Sequence, residues 1–412
     1  MGPDAAFGAF MTRLVRALAY FLIGWSVFSA SAIAQSQPGP VRVASGVRYE
    51  FLARWDVDKL NRILKTDIPA FAGIPVEYSP ARNAVKLYRI SYASVIPDRG
   101  NKPTTATGLI AVPDTSGTSF PLVSYQHGTV YGKQEVPSFP DQSPETQLML
   151  AQFAGQGYVL IGADYFGLGQ SIEPEGYMVK ASHQQATYDM LLAAKAVLDD
   201  LKISTTGLYL SGWSQGGFVT LAMLEKLESV GLPVKAAATA SAPADVFVAL
   251  NGFLNFPRKI DAAWVQTLFI LSVFSFENYY GVPGLARSVL TDEFYDLARK
   301  AYQRLPFDAK AMPTDLHKIL RAEYFDPEFF AVSAYGRLVA ATQAYRWVIK
   351  TPVRTYYGEA DEAIRIELGQ LPSFYQKSIG NNRVEAISTG ETSHRGTFAK
   401  AVPQWKAWFD GP

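Results

Sequence analysis

The chain has 412 residues, 48% hydrophobic, 13% aromatic and 18% charged, with no cysteine. An apolar fraction near one half excludes a disordered chain, and 38 Lys+Arg against 37 Asp+Glu, with no single-sign block, argue against a binder of nucleic acid that works by charge. The missing cysteines exclude disulfides, thiolate metal sites, iron–sulfur clusters and a cysteine nucleophile, and four scattered histidines supply no ligand cluster, so no metal is expected.

Residues 1–34 read as a secretory signal peptide. Arg13 and Arg16 precede the apolar run Ala17–Phe28, and small residues lead to Ala32-Ile-Ala34. The run is shorter than the roughly 20 residues of a membrane-spanning helix, which leaves a retained anchor as the alternative. A start at Met11 would give the usual short basic region. Removing Arg13, Arg16 and Asp4 takes the net charge from +1 to zero. No later apolar run is long enough to span a bilayer, so the expectation is a secreted or periplasmic protein without an integral membrane segment.

Residues 35–80 are mixed and punctuated by proline, and are expected to form an N-terminal extension packed on the main domain. From residue 81 strand and helix patterns alternate. Lys86–Ser94 and Thr105–Val112 predict a hairpin around Pro97-Asp-Arg-Gly-Asn101. Pro121–Gln126 and Tyr158–Ala163 are short apolar runs of the buried-strand kind, with a helix over Pro144–Ala154 between them. A long helix over Gln184–Leu201 precedes a strand (Gly207–Gly212), a helix (Gly216–Val230) and a strand (Val234–Ala240). Residues 246–345 interrupt this rhythm with helical patterns and 19 aromatics, against 35 in the other 312 residues. These aromatics suit either a core of the insertion's own or a cap lining an apolar pocket. Alternation resumes with Val353–Tyr357, Ile364–Ile379, Val384–Ser388 and Thr397–Phe409. The fold class is α/β: a mostly parallel sheet flanked by helices, with residues 81–245 and 346–412 as the two parts of the core and 246–345 as an inserted helical cap.

Gly212-Trp-Ser-Gln-Gly216 fits G-x-S-x-G between a strand and a helix. A turn this tight strains the serine backbone and leaves no room for a Cβ at Gly212 or Gly216, so Ser214 becomes the candidate nucleophile on a nucleophile elbow. A hydroxyl needs a base. His394, after the last strand, lies on the same sheet edge as Ser214 and is the candidate; His183 and His317 read as surface or capping residues. Asp361, in the loop after Val353–Tyr357, is the candidate carboxylate, with Glu359 and Glu362 set aside as solvated. The order Ser…Asp…His is that of the α/β-hydrolases. The oxyanion hole is expected from the N–H of Gln215 and from the loop after the third strand, where Gly128 permits close backbone approach and Thr129 adds a donor, with His127 either shaping that loop or simply buried there.

These segments together resemble the secretory lipase family of the α/β-hydrolases, which includes the fungal lipase A type. The likeness spans about residues 80–412 apart from the insertion. It is carried by Leu87-Tyr-Arg-Ile-Ser-Tyr92, Gln126-His-Gly-Thr129, Asp164-Tyr-Phe-Gly-Leu-Gly169, Gly212-Trp-Ser-Gln-Gly-Gly217, Gly358-Glu-Ala-Asp361 and Ser393-His394. The resemblance implies an exported enzyme with a helical lid and no cofactor. Its triad would be Ser214, Asp361 and His394, acting on uncharged, largely apolar esters of small molecules, lipids or polyesters. The absence of disulfides departs from the fungal members and points to a bacterial branch. The segment Asp164–Gly169 suits packing near the pocket or substrate contact. A peptidase or amidase using the same triad is the nearest rival, and a non-catalytic binding protein on this fold the more distant one.

Overall fold

The computed structural model describes residues 39–411; the signal peptide expected over residues 1–34 lies outside them. Among the described residues one sheet is built from β1 (Val41–Ala44), β2 (Val47–Trp55), β3 (Val85–Ile96), β4 (Lys102–Pro113), β5 (Ser119–Gln126), β6 (Val159–Ala163), β7 (Ser204–Trp213), β8 (Ala236–Ala240), β9 (Val353–Tyr357) and β10 (Val384–Ser388). Their spatial order is β1-β2-β3-β4-β6-β5-β7-β8-β9-β10. The six strands from β6 to β10 run parallel, and β1 to β4 form an antiparallel flank joined to β6.

Both faces of the central strands are covered, because successive side chains point to opposite sides. Along β4, Ile110 and Val112 enter one core while Leu109 and Ala111 enter the other; along β6, Val159 and Ile161 part from Leu160 in the same way. The helices Lys180–Asp200 and Gln215–Ser229 pack on the first face through Met190, Val197 and Phe218. The helices Pro144–Gln152 and His394–Phe409 cover the second through Leu148, Phe398 and Trp405. This is why Pro121–Gln126 and Tyr158–Ala163 read as nearly unbroken apolar runs.

The segment expected as an N-terminal extension contributes more than packing. β2 pairs with β3 from Val47 to Trp55, and β1 turns back on β2 through Gly46, whose φ of 73° suits a residue without a side chain. Its signal is blurred because charged residues fill the exposed (Arg48, Arg54) and half-buried (Glu50) positions of a flank hairpin.

Between β8 and β9 the insertion supplies helices that include Val246–Asn255, Gln266–Tyr280, Asp292–Tyr302 and Ala334–Ala341. Most of its large aromatics do not form a separate core. Phe269, Phe276, Phe330 and Tyr335 are fully buried in the same cluster as Phe218 and Met190 of the sheet-covering helices. Truncation in this shared core is therefore felt by the whole fold. Phe276→Ala should cost about 3–5 kcal/mol and lower the urea midpoint in a single transition. Two separate transitions, one for the insertion and one for the sheet, would contradict a common core.

Candidate active site

Parallel strands deliver their C-terminal ends to one edge, where ligands of open α/β sheets bind. Here that edge gathers His127–Thr129 after β5, Asp164 after β6, Ser214 after β7, Ser241 after β8, Asp361 after β9 and His394 after β10. Gln126 lies opposite Gly212 in the β5–β7 register, which puts the two following loops side by side.

Ser214 stands between β7 and the helix Gln215–Ser229 with φ 56° and ψ −125°, a conformation that side-chain-bearing residues rarely adopt. Its N–H is tied to Ala240 O (2.9 Å) and its carbonyl accepts Gly217 N–H (2.9 Å), so the turn is held from both sides. A Cβ on Gly212 would strike the Gly216 carbonyl, and one on Gly216 would strike the Gln126 carbonyl. Those two glycines are what let the strained turn pack against β5.

His394 opens the helix His394–Phe409, capped by Ser393 Oγ, and its imidazole is buried. Nε2 lies 2.9 Å from Ser214 Oγ, and Nδ1 lies 3.0 and 3.1 Å from the two oxygens of Asp361. The carboxylate on one side fixes the proton on Nδ1 and leaves Nε2 to accept the serine O–H. Asp361 is buried and well supplied with donors: Ser241 O–H to Oδ2 (2.6 Å), and Ala363 N–H and Ile364 N–H to Oδ1 (2.8 Å each). Burial alone would raise this carboxyl. The neighbouring His394 and these hydrogen bonds outweigh burial and hold it below its ordinary range.

Ser241 and Glu362 escaped sequence reasoning. Ser241 is set by strand order, since β8 lies between β7, which leads to Ser214, and β9, which leads to Asp361, and its φ of 47° marks another strained turn at that edge. Glu362 is half-buried rather than solvated: its Oε2 accepts the backbone N–H of His394 (2.8 Å), a carboxylate at a helix N-terminus. Glu359 is exposed and accepts Ser388 O–H (2.6 Å). The insertion is bolted to this loop, with Arg258 Nη2 donating to Asp361 O (3.0 Å) and Ala262 N–H donating to Glu362 O (3.0 Å).

The residues grouped as an oxyanion hole divide. Among the described residues Gln215 N–H and Thr129 N–H have no hydrogen-bond partner, while Thr129 Oγ1 lies 3.2 Å from Tyr177 OH. Gly128 N–H points inward to the carboxyl of buried Glu145 (3.0 and 2.9 Å), so what Gly128 offers the pocket is its missing side chain and not a donor. His127 is buried, stacks on Tyr165 at 4.1 Å, and lies 2.8 Å from Gly128 O and 3.2 Å from Asp164 O. Burial pushes it down to about 4, so it is a neutral brace for the loop. His183 is a correction. It is buried rather than on the surface, 3.4 Å from the Gln215 side-chain amide, and burial pushes it down to about 3. His317 is exposed and stacked on Phe325. Asp164 is turned inward, accepting Ser138 N–H (2.9 Å), Ser138 O–H (2.6 Å) and Thr107 O–H (2.6 Å), which ties its motif to packing.

Ser214 opens onto a narrow cavity of about 30 Å³ whose walls include Leu250, Phe253, Trp264 and Leu268 from the insertion and Ile364 from the acid loop. Phe253 and Trp264 are thus the inserted aromatics that meet the site. Among the described residues no group of three His, Asp or Glu side chains could hold a metal ion, and no helix is long and apolar enough to cross a membrane.

No family model matches this chain, and no curated protein matches it in sequence. Solved structures do match. A Legionella pneumophila protein provisionally named a hydrolase superposes with TM-score 0.75 at 22% identity, over 90% of this chain and 98% of its own. The rice cell wall degrading esterase LipA from Xanthomonas oryzae, in a ligand-bound form, gives 0.72 at 21% identity over 87% and 95%. Candida antarctica lipase A in its closed state gives 0.58 at 14% identity over 84% and 77%. At these identities the likeness establishes the fold: the chain is an α/β-hydrolase in architecture.

The lowered Asp361 carboxyl carries a pH consequence. The folded chain binds that proton less readily than the unfolded one, so the stabilisation is full above the ordinary carboxyl value of 3.8 and is lost as pH falls through the lower native value. The stability difference between the wild type and Asp361→Asn, in which the other buried groups cancel, should hold steady from neutral down to about pH 5 and narrow below it. A difference that does not narrow in acid would contradict the assignment.

Proposed function

We propose that this protein is an exported serine carboxylic-ester hydrolase, akin to the secretory lipases, acting through Ser214, His394 and Asp361. The observation that carries the reading is the unbroken chain of contacts from Ser214 Oγ to His394 Nε2 (2.9 Å) and from His394 Nδ1 to Asp361 (3.0 Å), on an edge that opens to an apolar cavity. The fold shared with a named esterase and a named lipase supports it. Export rests on the basic, apolar and small-residue pattern of residues 13–34.

In this reading Ser214 Oγ attacks the acyl carbonyl as His394 Nε2 takes its proton. Asp361 stays ionised, keeps the imidazole in the right tautomer and stabilises the imidazolium that forms. The free N–H groups of Gln215 and Thr129 receive the developing oxyanion, helped by the N-terminus of the helix behind Ser214. The imidazolium hands its proton to the departing alcohol, leaving an acyl-enzyme. A water deprotonated by His394 then releases the acid. The apolar walls and the zero net charge of the processed chain suit an uncharged ester.

Ser214→Ala should lower kcat toward p-nitrophenyl esters by something on the order of 10⁴–10⁶. Asp361→Asn should be severe and Glu359→Gln mild; the reverse result would relocate the acid. Turnover retained in Ser214→Ala would refute the mechanism, and matched ester and amide substrates would expose a peptidase if the amide were cleaved as fast. The cavity, with room for little more than a short group, predicts that acetate and butyrate esters outrun dodecanoate. Phe253→Ala should shift the optimum to longer acyl chains, and a rate independent of chain length in both proteins would contradict the role of these walls.

A further inference from the structure

Behind the loop that follows β5 sits a carboxyl group that the triad chemistry leaves unused. Glu145, in the first turn of the helix Pro144–Gln152, is buried, and both its oxygens lie within hydrogen-bond distance of Gly128 N–H (3.0 and 2.9 Å). The seat is tight: a Cβ on Gly128 would lie 3.2 Å from Glu145 Oε2 and 3.2 Å from the Trp213 ring. The other side of the same loop is held by His127 Nδ1 at Gly128 O (2.8 Å) and by Tyr165 O–H donating to His127 O (3.1 Å). With Gly128 clamped on both sides, the next N–H along the chain, that of Thr129, is left without a partner among the described residues.

We propose that Glu145 is a positioning residue for the oxyanion loop, holding Gly128 N–H inward so that Thr129 N–H is presented to the carbonyl attacked by Ser214. The proposal rests on the ester-hydrolase reading above. A carboxyl at this place is otherwise hard to account for, because a buried carboxylate without a cation is costly and an apolar side chain would pack the same helix turn. What an apolar residue cannot do is accept the N–H of Gly128, which burial has removed from water.

The group also works best uncharged. The titratable side chains facing it are Tyr125 of β5 and Tyr165 of the loop after β6, both kept neutral by burial; the neighbouring His127 is neutral too. The buried Tyr125 hydroxyl, with no partner of good geometry among the described residues, lies beside the carboxyl and favours its ionised form. Burial pushes the carboxyl up to about 8, outweighing the Gly128 N–H and the Tyr125 hydroxyl, which favour the anion. Above that pH a negative charge appears behind the place where the oxyanion forms and opposes it.

The test compares the wild-type chain with Glu145→Gln and Glu145→Ala. It follows kcat and KM on p-nitrophenyl butyrate from about pH 6 to about pH 10, and the rate at which a fluorophosphonate labels Ser214. Glu145→Ala should lose about 10- to 100-fold in kcat and in labelling rate, with KM nearly unchanged. Glu145→Gln keeps an acceptor for Gly128 and carries no ionisable group. It should recover most of that loss near neutral pH and lack the alkaline fall, centred at about 8, that the wild type shows. The proposal is overturned if folded Glu145→Ala stays within about twofold of wild type, if Glu145→Gln is as impaired as Glu145→Ala, or if the Gln variant keeps the wild-type alkaline fall. Should Glu145→Ala not fold, the Gln comparison decides alone. Wild-type protein that is labelled while the variants match it defeats this proposal only; wild-type protein that is not labelled at Ser214 defeats the ester-hydrolase reading and this one with it.

Discussion

The candidate site depends on one backbone constraint, the positive φ of Ser214. Strain of this kind survives only where the surroundings over-determine it. Here they do so through Ala240 O on the Ser214 N–H, Gly217 N–H on its carbonyl, and two glycines that let the turn lie against the end of β5. Moving any of these would lower the serine back toward the sheet and out of reach of His394. Parallel pairing of β5 through β10 then turns a local strain into a site, because each neighbouring strand ends beside that turn.

Electrostatics follow from burial at this edge. Asp361 is kept ionised in the interior by the His394 ring and by donors from three directions, while His127 and His183, buried without a carboxylate, are held neutral. One histidine thus faces a buried acid and a hydroxyl at once, and the others serve as packing and hydrogen-bonding braces. Glu362 and the insertion's Arg258 bind the backbone of His394 and Asp361 rather than their side chains, so they orient the two loops and leave the His394–Asp361 contact undisturbed. The insertion contributes walls to the cavity while its aromatics are mostly spent on a core shared with the sheet.

Much of this was legible in the order of residues. Ser214 follows its strand at once, Asp361 and His394 lie in the loops after theirs, and glycine spacing around Ser214 announces a turn that a generic loop would not need. The groups that were missed are those defined by which strands become neighbours. Ser241 matters only because β8 separates β7 from β9, and Glu362 only because the β9 loop reaches the start of the final helix. Nothing in the spacing announces that Glu145, seventeen residues further on, takes the N–H of Gly128. The β1–β2 hairpin was hidden because the flank of a sheet admits charged residues that blur its alternation.

The central claim, that Ser214 carries the acyl group, is tested most directly by trapping the intermediate. The protein would be mixed with a slowly deacylating ester, quenched in acid and mapped by peptide mass spectrometry. The account predicts an adduct of the acyl mass on the peptide containing Ser214, absent in Ser214→Ala. Ester turnover with no adduct, or an adduct on any other residue, would contradict it.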